Sequence, residues 1–340
     1  MQNNPKIIVF EPNWIGDVIL TTPIFKAIKE HKEGCFLGCI VPRRCRNILE
    51  NNPFIDEIIE FNERTTHNSF SKKISFIKEL KSRRYETALI LHRSLTRTLI
   101  CYLAGIERRV GYAYKKRAFL LTDKIPPVNK DSIHKQDYYL GIAEGFGIKI
   151  NDRDCRIYCS SQDKEWADKL IGNAVSKDTL IAINPVTNWP PKNWPSESFL
   201  ELINILAAKI RNIRIFITSK EKINIFQSMN TEALMKIVNL TGKTSIAQVA
   251  ALYEKMDVVI SGDSGPLHIS GAVNTKYVGI FGPTNPRLTA PRAKTEGRIL
   301  FKNTFCPTPC YTDKCPKDFI CMKTISPHQV ADAVMELINS

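Results

Sequence analysis

The sequence predicts an α/β protein made of two doubly wound halves with a cleft between them. Three observations carry this. Short apolar runs alternate with amphipathic helical segments, and the pattern restarts midway through the 340 residues. Loops carrying Gly and Asp leave these runs at their carboxyl ends, where ligands bind in such sheets. The length suffices for two ordinary domains with full cores. We expect residues 1–160 to form the first domain and 161–340 the second, with the last helix free to pack back on the first.

The elements follow in order. Lys6 to Phe10 reads as a buried strand, and Asp17 to Lys32 as one helix with Leu20, Ile24, Ala27 and Ile28 on its inner face. Phe36 to Val41 is a strand, followed by a short helix to about Glu50. Glu57 to Phe61 is a strand, and Ser71 to Ser82 an amphipathic helix through Ile74, Ile77 and Leu80. Thr87 to Leu91 is a strand, Leu95 to Ala104 a helix, and Arg109 to Tyr112 a short strand. A helical connector spans Ser132 to Phe146, and an extended piece runs to Cys159. The second half repeats the scheme. Its strands are Thr179 to Asn184, Arg214 to Thr218, Val238 to Leu240, Val258 to Ser261 and Tyr277 to Phe281. Its helices are Ser196 to Ile210, Ser245 to Glu254, Gly265 to Val273 and Pro327 to Asn339.

Composition narrows the class. The apolar run after the polar N-terminus, Ile7 to Phe10, is four residues long, a strand and not a signal peptide. No stretch approaches the ~18 apolar residues of a membrane span. The expectation is a soluble cytoplasmic protein in a reducing compartment, its ten cysteines thiols or ligands. Six of these (Cys35, Cys39, Cys45, Cys101, Cys155 and Cys159) sit singly and read as small buried hydrophobes. The net charge is +14 and uneven: 27 Lys and Arg against 18 Asp and Glu up to Ser160, then 21 against 16. Such a surface suits nucleic acid, an anionic membrane or a phosphorylated substrate. No helix-turn-helix, finger or aromatic RNA motif supports the first. No G-x-G-x-x-G follows the first strand, which argues against a dinucleotide oxidoreductase.

Four segments carry chemistry. In Asn13-Trp14-Ile15-Gly16-Asp17, Asp17 opens a helix and reads as a cap or as a functional carboxylate. In Asn184 to Pro195, Lys192 is the sole cation, either solvated or holding a phosphate. In Gly262-Asp263-Ser264-Gly265-Pro266-Leu267-His268, a strand runs into a helix whose free N–H groups make an anion site, unless Asp263 or Ser264 caps it. Cys306-x3-Cys310-x4-Cys315-x5-Cys321, with Pro307, Pro309 and Pro316, offers four thiols for a structural zinc site, though not at paired C-x2-C spacing.

Together, Asn13 to Val18, Lys192-Asn193-Trp194-Pro195 and Gly262 to His268 resemble the bacterial lipopolysaccharide heptosyltransferases, glycosyltransferase family 9, across nearly the whole chain. Leu91-His92-Arg93-Ser94, Ala104-Gly105-Ile106, Arg109-Val110-Gly111-Tyr112, Leu120-Leu121-Thr122 and Gly282-Pro283-Thr284 most resemble the heptosyltransferase II branch. The resemblance implies a GT-B fold and an inverting transfer, needing no cofactor or metal, from ADP-heptose to a Kdo–lipid A core acceptor. It implies that Asp17 is the general base and Lys192 the donor-phosphate lysine. Asp263 would bind the sugar hydroxyls, and Ser264, Gly265 and His268 the pyrophosphate. Thr187 adds a phosphate contact, Glu221 reaches the ribose, and the Asn239 to Lys243 turn lines the adenine pocket. The acceptor so implied is anionic, which makes Arg43, Arg44, Arg93, Arg97, Arg109 and Arg117 candidates to bind it. The same charge suits peripheral contact with the inner leaflet of the inner membrane; no nucleic-acid partner is expected. The chain departs from the family in its Asn188-Trp189-Pro190-Pro191 loop, often more polar, and in its cysteine-rich tail, found in some members. These departures leave room for another nucleotide sugar or acceptor.

Overall fold

The computed structural model describes residues 4–114, 116–172, 178–223, 231–302 and 306–340. The chain forms two compact units, Met1–Tyr158 and Cys159–Ser340. In the first, β1 (Lys6–Phe10), β2 (Phe36–Val41), β3 (Glu57–Glu60), β4 (Thr87–Ile90), β5 (Arg108–Tyr112) and β6 (Asp123–Ile125) make one sheet. In the second, β7 (Thr179–Asn184), β8 (Ile213–Ile217), β9 (Ile237–Asn239), β10 (Val258–Gly262), β11 (Lys276–Phe281) and β12 (Gly297–Phe301) make another. The orders are β3-β2-β1-β4-β5-β6 and β12-β11-β10-β7-β8-β9, which is one topology read from opposite edges. All pairings are parallel. In each sheet the winding reverses beside the unit's first strand, between β1 and β4 and between β7 and β10. The loops leaving those strands are therefore where a ligand is expected.

Central strands are buried on both faces, which is why they read as unbroken apolar runs. In the first unit, Ile8, Phe10, Ile40, Ala88 and Ile90 pack under Phe76, Leu80, Ile100 and Cys101 from two covering helices. In the second, Ile181, Ile183, Ile215 and Ile260 pack under Phe199, Leu202, Val330 and Val334. The last helix, Pro327–Asn339, lies against helix Ser196–Lys209 and the β10–β12 side of its own sheet. Its start is fixed by a Ser326–Gln329 capping box with Pro327 behind it.

One expectation needs correction, and some elements lie outside the sequence reading. The helix expected from Asp17 to Lys32 is two, Ile15–Thr21 and Pro23–His31. Pro23 has no N–H to continue the ladder, and the hydroxyls of Thr21 and Thr22 donate back to the Val18 and Ile19 carbonyls at 2.7 and 2.8 Å. The edge strands β6 and β12 went unread because neither is a continuous apolar run. Helix Ser161–Ile171 also went unread; only Ala167 along it is buried, and it starts from the Ser160 cap.

Candidate active site

In the first unit, the loop after β1 and the loop after β4 lie together at the switch point, with Asn13 at their junction. Its side-chain oxygen accepts from Arg97 Nη2, and its amide nitrogen lies 3.4 Å from His92 Nε2. Its carbonyl accepts from Arg44 Nε and Nη2 at 2.9 and 2.7 Å. The Arg44 guanidinium also covers the ring of the exposed Trp14, 4.7 Å from its centroid. Burial, reinforced by the charges of Arg97, Arg117 and Arg93, pushes His92 down to about 3, so its ring is neutral at ordinary pH.

Asp17 sits in the third position of helix Ile15–Thr21. It does not cap the helix: Trp14 holds the cap position and offers no side-chain bond. Its carboxylate instead accepts from Lys135 Nζ at 3.1 Å, and burial together with the nearby Asp17 charge holds the Tyr139 phenol well above its ordinary value. Lys135 and Tyr139 are one turn apart on helix Lys135–Gly145, so one face of that helix fixes the orientation of Asp17. The side chain is largely buried, with about a tenth of its surface open (relative exposure 11%). Nothing in the connector's spacing had marked Lys135 or Tyr139.

The arginines divide. Arg43, Arg44 and Arg93 are exposed, the last stacked on Tyr114 at 5.4 Å. Arg97 and Arg117 are fully buried, which corrects their reading as acceptor contacts. Arg97 donates to the Glu11 carbonyl and to Asn13; Arg117 donates to the carbonyls of Tyr112 and His92. These side chains hold the two switch-point loops in place. Arg109 serves the backbone too, donating to Leu120 and Ile106 carbonyls.

In the second unit, the loop after β7 and the loop after β10 meet in the same way. Lys192 ends the short turn Pro190–Lys192, and its Nζ reaches Asp263 Oδ2 at 2.6 Å and the Asp263 carbonyl at 3.2 Å. Burial alone would raise the Asp263 carboxyl; the adjacent Lys192 charge, with His268 contributing, holds it below its ordinary value instead. The approach is close because Gly262 has no side chain: a Cβ there would stand 3.1 Å from Thr187 Cγ2 and 3.2 Å from the Lys192 carbonyl. Thr187 points its hydroxyl to Trp189 O at 2.8 Å and Asn193 Oδ1 at 2.9 Å, bracing the loop.

Helix Gly265–Ala272 begins at Ser264, which gives it no side-chain cap; the Ser264 hydroxyl contacts Ser261 Oγ at 3.1 Å instead. Pro266 supplies no N–H, and His268 is buried one turn in. The capping alternative thus fails here as it does for Asp17, and this start carries a serine, an aspartate and a lysine together. Glu221 is exposed just beyond β8, where its N–H donates to Ser219 Oγ at 3.3 Å. The Asn239 to Lys243 turn folds against that segment through Gly242 N–H to Ser219 O, 2.9 Å.

Cys306, Cys310, Cys315 and Cys321 line one small cavity with Pro191, Gly282 and Pro283. The thiols suit a soft metal, but among the described residues no three His, Cys, Asp or Glu side chains are placed to share an ion. The segment meets the Lys192 loop, where Asp313 accepts from Trp189 Nε1 at 2.6 Å, and the loop after β11, where Cys310 N–H donates to Pro283 O at 2.6 Å.

The family described as Glycosyltransferase family 9 (heptosyltransferase) matches residues 73–319. Lipopolysaccharide heptosyltransferase 2 of Escherichia coli K12 is 24% identical over 298 residues, covering 84% of this chain and 85% of its own. Lipooligosaccharide heptosyltransferase 2 of Haemophilus ducreyi is 27% identical over 307 residues, covering 85% and 86%. Among solved structures, the family 9 glycosyltransferase of Veillonella parvula superposes with a TM-score of 0.84 at 21% identity, covering 100% of this chain and 98% of that one. That likeness shows the fold to be GT-B, each unit one of its doubly wound domains.

Proposed function

Since the chain belongs to glycosyltransferase family 9 and is a glycosyltransferase, we propose that it moves heptose from ADP-L-glycero-D-manno-heptose to the heptosyl-Kdo2–lipid A inner core of lipopolysaccharide, with inversion. The observation that carries this reading is the Lys192–Asp263 pair beside an uncapped helix start at the second unit's switch point. This is a phosphate-ready cation next to an ionised carboxylate able to accept sugar hydroxyls. Relatives named as heptosyltransferases supply the sugar.

In this mechanism Asp17 accepts the proton of the acceptor hydroxyl as that oxygen bonds to the anomeric carbon. The bond from that carbon to the β-phosphate oxygen breaks on the opposite face, and ADP leaves with the electron pair. Lys192 neutralises the charge growing on the β-phosphate. Ser264, Gly265 and His268 line the pyrophosphate, Thr187 adds a phosphate contact, Glu221 binds the ribose, and the Asn239 to Lys243 turn receives adenine. The exposed Arg43, Arg44 and Arg93 meet the acceptor's carboxylates and phosphates.

ADP release from ADP-heptose in the presence of the Kdo–lipid A acceptor tests the whole reading. Asp17→Asn is expected to lower that rate by at least about a hundredfold; full activity in this variant removes the base assignment. Thermal stabilisation by UDP or GDP but not by ADP would instead point to another nucleotide sugar.

A further inference from the structure

Helix Leu95–Leu103 is apolar on both sides. Ile100 and Cys101 face the core, while Leu95, Leu99, Tyr102 and Leu103 are each between 39% and 50% exposed. Their spacing (i, i+4, i+7, i+8) makes them one continuous outer stripe, and no charged residue interrupts it. Two neighbouring elements extend it. The short turn Ala118–Leu120 carries Phe119, 75% exposed, and helix Phe70–Ser82 carries Phe70, 80% exposed, and Ile74. Solvated proteins rarely leave large apolar side chains so grouped without a partner.

The chemistry around the stripe selects that partner. Residues 93–119 contain seven Lys and Arg and one acid, Glu107. Arg93 and Lys116, which flank this segment, are exposed, and the Arg109 guanidinium stacks on the Tyr102 ring at 5.3 Å. A second copy of the chain would bring these like charges face to face. An anionic bilayer would not: its headgroups neutralise the basic rim, its acyl region takes the leucines and Phe119, and Tyr102 suits the interface between them.

We propose that the outer face of helix Leu95–Leu103, with Phe119 and Phe70, is a docking surface for an anionic lipid bilayer. This deepens the proposed function, whose acceptor is lipid-linked, but the binding test needs no sugar substrate. The full-length protein is sedimented with vesicles of phosphatidylethanolamine and phosphatidylglycerol, and separately with phosphatidylcholine vesicles. Wild type is expected on the anionic vesicles and at least about tenfold less on the neutral ones. The double substitution Leu99→Glu and Leu103→Glu should weaken anionic-vesicle binding by about tenfold or more, while Tm and ADP release with a deacylated, water-soluble acceptor stay at wild-type values. Undiminished vesicle binding by this variant, or no binding by wild type, overturns the proposal. So does a wild-type dimer that the variant dissociates, since that makes a second copy the occupant. Failure of ADP release in wild type counts against the proposed function alone and leaves the vesicle result standing.

Discussion

The Glu11 carboxyl is fully enclosed under the loop that follows β1. Burial pushes it up to about 8, against weaker opposition from the Thr21 hydrogen bond and the Arg97 charge. The geometry agrees. Thr21 Oγ1 lies 2.6 Å from Glu11 Oε2 and 2.7 Å from Val18 O, and one hydroxyl hydrogen cannot serve both. A protonated Glu11 resolves this by donating to Thr21, whose own hydrogen goes to Val18. Because the folded value lies above the ordinary 4.5, the native state holds the proton more tightly. Its contribution is therefore complete below about 4.5 and is lost as pH rises toward and through about 8. The loss is on the order of 5 kcal/mol for a shift of this kind. Glu11→Gln keeps shape and a donor but cannot ionise, so it should equal wild type in Tm near pH 5 and exceed it by several degrees near pH 9. Parallel melting curves for the two proteins across that range would rule the idea out. A single buried Glu beside a proline carries no periodic or motif signal, so the sequence alone did not mark it.

At the scale of elements, Gly262 links strand to site. It ends β10, and the Lys192 loop crosses where its side chain would be. Gly262→Ala pushes that loop outward by a few tenths of an ångström, against a backbone carbonyl that cannot rotate away. Such overpacking costs about 1–3 kcal/mol. The dissociation constant for ADP should rise roughly tenfold if part of that strain falls on the Lys192–Asp263 pair. Unchanged ADP affinity by calorimetry, with Tm alone lowered, would separate the strain from the site. The buried strands were legible because parallel strands covered on both faces must be apolar throughout, as Ile181 to Ile183 and Val258 to Ile260 are. β6 and β12 escaped because an edge strand needs only partial cover, and the break at Thr22–Pro23 escaped because apolar spacing runs through it. Proline was the available signal there, and the periodicity masked it.

For the whole molecule, what could be read was which loops leave strand ends; what could not was which side chains they turn inward. Arg97 and Arg117 belong to the same basic stretch as Arg93, yet both are wholly buried and only Arg93 is solvated. Only the tertiary structure separates a structural guanidinium from a binding one. That division predicts two salt dependences. The acceptor is to be met by exposed arginines on the half of the chain that carries 27 basic against 18 acidic residues. Exposed charges are screened beyond a Debye length of about 8 Å at physiological ionic strength. The donor is to be met by Lys192, about a fifth exposed (21%) and paired with a nearly buried Asp263 (5%), where screening is weak. Raising salt from low to physiological levels should thus raise KM for the lipid-linked acceptor about tenfold and KM for ADP-heptose by no more than about twofold. Steady-state ADP release, varying one substrate at a time, measures both. Equal salt dependence of the two constants would mean that the solvated arginines do not carry acceptor recognition. A steeper dependence for ADP-heptose would mean that donor phosphates are met by exposed cations instead of by the pair at the β7–β10 switch point.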